Sequence, residues 1–287
     1  MLTSYDTLYT PRILITGETG GTGASTTSRL LSELLEQPNI SGGRFFRAMA
    51  NRFELFQTQN VALTNSEQYN RFLLLYQETF QHIGVEGISI LLGDGLDQQA
   101  DGNQLARFQV AITESQVRTG QLDSVWDYIV DQHTLLDAFQ KPGFIWEAKL
   151  AILALEIDQL QSVITDRRIF ALPLLKVLLQ LDPAVAAERV GQREKRQVSV
   201  AEIALRKKRD FERFGKLYTV RGTPVVHADL LQAAELAINT EQFSPKEVVS
   251  QIIWHYIKKV KLLTEAEPSL SFSFIQNLAT ALAELQD

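Results

Sequence analysis

The sequence predicts an α/β fold, and two observations carry that expectation. Residues 12–31, Arg-Ile-Leu-Ile-Thr-Gly-Glu-Thr-Gly-Gly-Thr-Gly-Ala-Ser-Thr-Thr-Ser-Arg-Leu-Leu, pass from an apolar strand through a glycine-rich turn into an amphipathic helix. Further apolar runs at residues 143–150, 174–183 and 235–240 are separated by segments of helical periodicity, as parallel strands joined by crossover helices would be.

The first stretch has the order of a phosphate-binding loop. Ile13, Leu14 and Ile15 suit a strand buried on both faces of a parallel sheet, and Gly17, Gly20, Gly21 and Gly23 let successive N–H groups converge on an anion. Ser25, Thr26 and Thr27 open the helix, where a hydroxyl can cap backbone N–H groups or sit on a phosphate-bound Mg²⁺. The pattern G-x-x-x-x-G-K-[ST] is met imperfectly: one residue too many separates Gly17 from Gly23, and Ala24 stands where the lysine belongs. That lysine normally reaches the β- and γ-phosphates, so the loop lacks one cationic contact. The other reading of the stretch is a strand-to-helix turn that binds nothing.

Composition narrows the classes. A chain of 287 residues, 45% hydrophobic, can bury a large core or a core with an inserted lobe. It has no apolar run of membrane-spanning length and no signal-peptide pattern at its start, so a soluble cytoplasmic protein is expected. The absence of cysteine excludes disulfides and thiolate metal sites, and four scattered histidines argue against zinc. A net charge of −6 argues against general nucleic-acid binding, although basic residues cluster between Arg189 and Arg221.

Along the chain, the first helix closes at Pro38 and Asn39, and Ile40-Ser-Gly-Gly-Arg-Phe-Phe-Arg-Ala-Met-Ala follows. Helices are expected over residues 70–84, 104–120 and 125–139, with Asp123, Asp127 and Asp131 on a solvent face. Residues 87–93 form an apolar run bounded by glycines that fits an extra strand or a buried turn, and residues 94–103 a solvated loop. Gly143 to Leu150 reads as a strand ending at Glu147. Asp182-Pro183 starts a helix reaching Arg193, and Ser244-Pro245 starts another that runs to about Leu263. Arg206, Asp210 and Arg213 fall at i, i+4 and i+7, on one helix face, where Arg206 and Asp210 can brace each other while the arginines converge on an anion. A salt-bridged basic helix without a ligand fits the same spacing.

In this order, the segments resemble the cytidylate kinase-like branch of the nucleoside monophosphate kinases. The likeness rests on Ser41-Gly-Gly-x-Phe-Phe-Arg47-x-Met-Ala, on the strand ending Glu147-x-Lys149, on Arg189-x-x-x-Arg193-Glu194, and on Arg206-x-x-Arg209-Asp210-x-x-Arg213. It implies a P-loop NTP hydrolase-type α/β fold with a five-stranded parallel core sheet, helices on both faces, a monophosphate-binding lobe and a short lid. The implied domain spans 12–258, with an expanded lobe or insertion at 51–140, a lid at 189–218 and a helical extension at 259–287. The implied activity is transfer of the ATP γ-phosphoryl to CMP or a related monophosphate, with Mg²⁺ accompanying ATP.

On that resemblance Gly20, Gly21, Thr22, Gly23, Ala24, Ser25 and Thr26 hold ATP, with Ser25 and Thr26 beside the metal. Ser41, Arg47, Glu147, Lys149 and Asp210 hold the monophosphate, and Arg206, Arg213, Lys149 and Arg193 act in transfer. Three residues depart from the family's habit: Ala24, Arg44 where an acidic residue is usual, and Lys149 where arginine is usual. They motivate the alternative of a nucleotide-binding protein without turnover. Arg193, Arg196 and Arg29 are the candidates to replace the missing lysine charge.

Overall fold

A computed structural model describes residues 10–83, 87, 88, 92, 103–105, 107, 108, 110–112, 125–162, 164, 174–264 and 280. They fall into two compact units, one of residues 1–41 with 137–287 and one of residues 42–136.

The first unit is built on a five-stranded parallel sheet. Its strands are β1 (Arg12–Gly17), β2 (Asn39–Ser41), β3 (Phe144–Glu147), β4 (Leu175–Gln180) and, after a short hairpin of β5 (Thr219–Val220) and β6 (Thr223–Pro224), β7 (Leu236–Asn239). The order across the sheet is β2-β3-β1-β4-β7. Ile13 pairs in register with Ile145 on one side and Leu175 on the other, so β1 is the central strand. Four strands lie in the apolar runs read from sequence. The fifth, β2, has only three residues and pairs at the edge with Ile145 to Glu147.

Strand alternation decides what each face buries. Ile13, Ile15, Val177, Leu179 and Ile238 form one apolar cluster with α1 (Ala24–Leu35) and with the long last helix, Pro245–Thr264. Beyond β3, the 3-10 turn Ala151–Leu153 is buried against β1 and β4. The remaining helices of the unit are α4 (Val125–Phe139, which ends in it), α5 (Asp158–Gln161), α6 (Pro183–Glu194), α7 (Val200–Leu217) and α8 (His227–Ala233), and the last helix is α9. Their starts follow capping chemistry: Asp182 accepts from the Ala184 N–H at 2.8 Å with Pro183 next to it, and Ser199 accepts from the Glu202 N–H at 3.1 Å. Ser244 and Glu247 cap each other's backbone reciprocally, which starts α9. The helix then continues unbroken across the expected boundary at 258.

The described residues of the second unit are mainly helical, with α2 (Gly42–Gln59), α3 (Asn65–Ile83) and most of α4, and Phe45, Phe53, Tyr69, Phe72, Tyr76 and Phe108 share an aromatic core. The expected loop at 94–103 lies outside the described residues except for Asn103, and the segment after Thr264 lies outside them except for Thr280. Gly87, Ile88 and Leu92 are helical, so the short apolar run is neither a strand nor a turn at those positions. Ile88 and Leu92 are fully buried in the aromatic core, which satisfies the same hydrophobicity with a helical period. Asp131 is buried on α4 and does not belong to a solvent face, while Asp123 and the side chain of Asp127 lie outside the description.

Leu179 is fully buried in the cluster that joins the sheet to α1 and α9. Leu179→Ala should cost about 2–5 kcal/mol, read as a lower urea midpoint with an unchanged slope.

Candidate functional site

β1 stands between β3 and β4, and the chain lays β2 and β3 on one side of it before crossing over it to β4 and β7 on the other, so the strand order reverses direction at its carboxyl end. Ligands of open parallel sheets bind at such a switch point. There β1 ends at Gly17, and the Glu18 N–H bonds the Leu179 carbonyl at 2.9 Å, so the glycine-rich turn grows directly from the sheet.

Two of its glycines have left-handed backbones, Gly21 at φ 88° and Gly23 at φ 81°. A methyl group on Gly21 would also meet the Ala186 carbonyl of α6 at 3.3 Å, and one on Gly20 would meet Val190 at 3.3 Å. The turn is therefore pressed against α6. Thr22 folds back over Gly17, bonding the Thr19 carbonyl at 3.2 Å. No atom lies within 4 Å of a methyl placed on Gly23, so the turn is open on that side.

The first helical bond runs from the Thr27 N–H to the Gly23 carbonyl. Among the described residues, the N–H groups of Thr19, Gly20, Gly21 and of Gly23 to Thr26 have no acceptor in the protein, while that of Thr22 closes the turn over Gly20 and Gly21. The cap position is Gly23, with no hydroxyl capping α1, and Ser25 and Thr26 are exposed. A strand-end turn followed by a helix N-terminus with free N–H groups can receive an anion. Ala24, at the lysine position, is buried in the main apolar cluster and contributes no charge.

The cations near the turn have distinct duties. Arg189 donates to the Gly21 carbonyl at 3.4 Å and the Thr240 carbonyl at 3.2 Å, clamping the turn to the end of β7. Arg29 is paired with Glu33 at 2.8 Å on the outside of α1. Arg196 is held by Glu194 at 2.8 Å and Glu202 at 2.5 Å. Arg193 remains: its guanidinium is 3.9 Å from where a Gly20 methyl would stand, and its carboxylate neighbour Glu194 is 3.6 Å away. Of the three candidates for the missing charge, only Arg193 sits at the turn, and its ion pair with Glu194 is the longest of the three candidates' pairs.

Arg206 does not brace Asp210. It forks onto Glu194 at 2.9 and 3.0 Å and reaches Glu202 at 2.7 Å, because Glu202 lies one turn earlier on α7 and Glu194 faces it from the end of α6. Asp210 instead pairs with Lys149 and with Arg213, the latter at 3.2 Å. The expected convergence of Arg206 and Arg213 on one anion is thus not formed in this arrangement. Glu147 accepts from the Ser41 hydroxyl at 2.6 Å across β2 and β3. Lys149 is set by Thr16, whose hydroxyl donates to the Ala148 carbonyl at 3.1 Å and accepts from the Ile152 N–H at 3.3 Å. Arg47 lies on α2 in the helical unit, half-buried and with no hydrogen-bond or ion-pair partner among the described residues. Arg209 is exposed.

Glu18 was not singled out in the sequence, although it directly follows the central strand. Its carboxylate pairs with Lys207, lies 2.7 Å from the His227 Nε2, and accepts from Gln180 at 3.3 Å. Burial pushes its carboxyl up, but the Lys207 bond and charge, with His227 and Gln180, outweigh this and hold it below the usual range. Arg189 was legible only as part of a motif, four residues before Arg193. Among the described residues, no three carboxylates or histidines group as metal ligands, and no helix is long and apolar enough to cross a membrane.

No protein-family model matches this chain, and none of the curated proteins does. Among solved structures it is similar to an uncharacterized protein from Eubacterium ventriosum ATCC 27560, with 12% identity, 85% of this chain and 98% of that chain covered, and a TM-score of 0.36. It is also similar to a protein described as "a putative kinase" from Chloroflexus aurantiacus J-10-fl, with 16% identity, 86% and 98% covered, and a TM-score of 0.30.

Two measurements check this geometry. Gly21→Ala should destabilise more than Gly23→Ala in thermal melts, because both carry the left-handed strain of about 1–2 kcal/mol and only Gly21 also meets α6. The bonds from Arg196 and Arg206 hold the Glu202 carboxyl down at about 2, from an ordinary 4.5. Since the folded value is the depressed one, the contribution of this network to stability is present above pH 4.5 and is lost as pH falls towards 2. An NMR titration of the Glu202 carboxyl should show that midpoint in the wild type and a return towards 4.5 in Arg196→Ala.

Proposed function

We propose that the chain is a nucleotide-binding phosphotransferase of the P-loop type, moving the γ-phosphoryl of ATP to a nucleoside monophosphate such as CMP. The observation that carries the proposal is the turn at the carboxyl end of β1, where all but one of the N–H groups between Thr19 and Thr26 are free, at the switch point of a parallel sheet. Phosphate oxygens would suit such a turn because its free N–H groups are donors without a competing acceptor.

In this reading Gly20, Gly21, Thr22, Gly23, Ala24, Ser25 and Thr26 receive the phosphates by backbone. The exposed hydroxyls of Ser25 and Thr26 are the groups that would touch a Mg²⁺ held mainly by ATP. Arg193 supplies the cation that Ala24 does not. An arginine fork can bridge two phosphate oxygens where lysine offers a point charge, so the substitution conserves charge and changes geometry. Ser41, Glu147, Lys149 and Asp210 are the proposed monophosphate contacts of the first unit, and the part of Arg47, which stands in the helical unit, rests on the resemblance alone. Arg206 and Arg213 join the transfer only after leaving their carboxylate partners. The acceptor phosphate is already ionised, so catalysis needs positioning and charge neutralisation, not a strong base.

The ties of Arg206 to Glu194 and Glu202 favour a second reading, in which nucleotide binds without turnover. A coupled assay of ADP release with ATP, Mg²⁺ and a panel of nucleoside monophosphates separates the two. ADP release with one monophosphate supports the transferase, ATP binding without release supports the second reading, and no ATP binding overturns both.

If Arg193 replaces the lysine, Arg193→Ala should weaken ATP binding about tenfold or more, the size of one charge-assisted hydrogen bond. Adding Ala24→Lys to that variant should recover most of the loss. Equal ATP affinity in the wild type and Arg193→Ala, by calorimetry, would remove Arg193 from the site.

A further inference from the structure

α7 has a second face. Arg206, Asp210 and Arg213 bind carboxylates and Lys149 on one side, while Ile203, Lys207 and Phe211 turn towards the sheet. Between that inner face, the end of β4 and the segment Pro224–His227 lies an open cavity of about 840 Å³. That volume is in the range of small-molecule sites and far above the voids left by ordinary packing. Gly215 brings α7 close to the hairpin segment, a methyl there standing 3.1 Å from the Val225 carbonyl, so the walls are fixed by backbone packing.

The lining is chiefly apolar, from Leu181, Pro183, Ile203, Phe211, Val225 and Val226. Phe211 lines the cavity and stands at right angles to His227, 5.3 Å between ring centroids. The charges around the cavity do not cancel. Glu18 is satisfied by Lys207 and His227, and Glu212 has Lys208 at 3.7 Å. Lys216, also on the lining, has no partner among the described residues. An apolar chamber with one unpaired ammonium at its edge selects a molecule with an apolar body and one negative group.

We propose that this cavity is a binding site for an amphipathic organic monoanion, an aromatic or aliphatic acid whose body lies between Phe211 and Leu181 and whose charge meets Lys216. None of the residues that proposed phosphate transfer requires in α7 lines it. Glu18 and Thr19 belong both to the cavity floor and to the glycine-rich turn, so an occupant would touch the turn from beneath.

The test uses the full chain without ATP and two probes with the same body. One is 8-anilinonaphthalene-1-sulfonate, which is anionic, and the other is N-phenyl-1-naphthylamine, its neutral counterpart. Fluorescence titration should show saturable binding of the anion at one site, about fivefold tighter than the neutral probe. Ala204→Trp, at an exposed position on the lining, should weaken both probes at least tenfold while the thermal midpoint stays the same. Lys216→Gln should lower only the anion, bringing it to the affinity of the neutral probe, and 2-naphthoate should displace the anion from the wild type. Binding unaffected by Ala204→Trp would place the probes elsewhere and overturn the site. Equal affinity of the two probes, unchanged by Lys216→Gln, would overturn the monoanion. Neither outcome depends on nucleotide binding at the turn.

Discussion

The close approach of α6 to the turn after β1 is the constraint on which the candidate site depends. Gly20 and Gly21 have no side chains to hold the helix away, so Ala186 and Val190 rest directly on the turn. Arg189, from the same helix, then ties the Gly21 carbonyl to the Thr240 carbonyl. The Gly21 and Thr19 carbonyls are engaged by side chains, while most N–H groups of the turn have no partner in the protein. This division gives the turn its polarity without any charged residue in the turn facing outwards, since Glu18 is turned under it towards Lys207.

The arginines of α6 and α7 divide by what already holds them. Glu194 binds Arg206 and Arg196, and Glu202 binds the same two, so four charges close a small ring between the two helices. The fork from Arg206 is the largest influence lowering the Glu194 carboxyl. Such a ring fixes α7 against the end of α6 at a modest energy, because its members remain partly exposed. It also means that Arg206 can reach an anion only by exchanging carboxylates for phosphate oxygens. Charge number is the same before and after, so geometry decides whether that exchange is favourable.

Much of the fold was legible because β1, β3, β4 and β7 are apolar runs long enough to stand out. β2 was not, because Asn39-Ile40-Ser41 has a single large apolar residue and gains its strand conformation from pairing with Ile145 to Glu147. The turn was legible from its glycines, and its openness at Gly23 follows from structure alone. The helical spacing of Arg206, Asp210 and Arg213 was correctly placed on α7, yet spacing says nothing about competitors. Glu202 lies at i−4 from Arg206, as near along the helix as Asp210 at i+4, and Glu194 enters from another helix. Asp131 failed for a related reason: periodicity marks the faces of α4 but not which packed neighbour covers each.

The order of strands has a consequence for how the chain is made. The central strand precedes both of its partners, with β3 roughly 130 residues behind it, about 6–25 s at ordinary synthesis rates of 5–20 residues per second. During that interval β1 has no partner on either edge and α1 has no sheet to cover, while the helices of residues 42–136 can already collapse on their own aromatic core. The nascent chain therefore carries Ile13, Leu14 and Ile15 as an uncovered template until Phe144 to Glu147 leaves the ribosome.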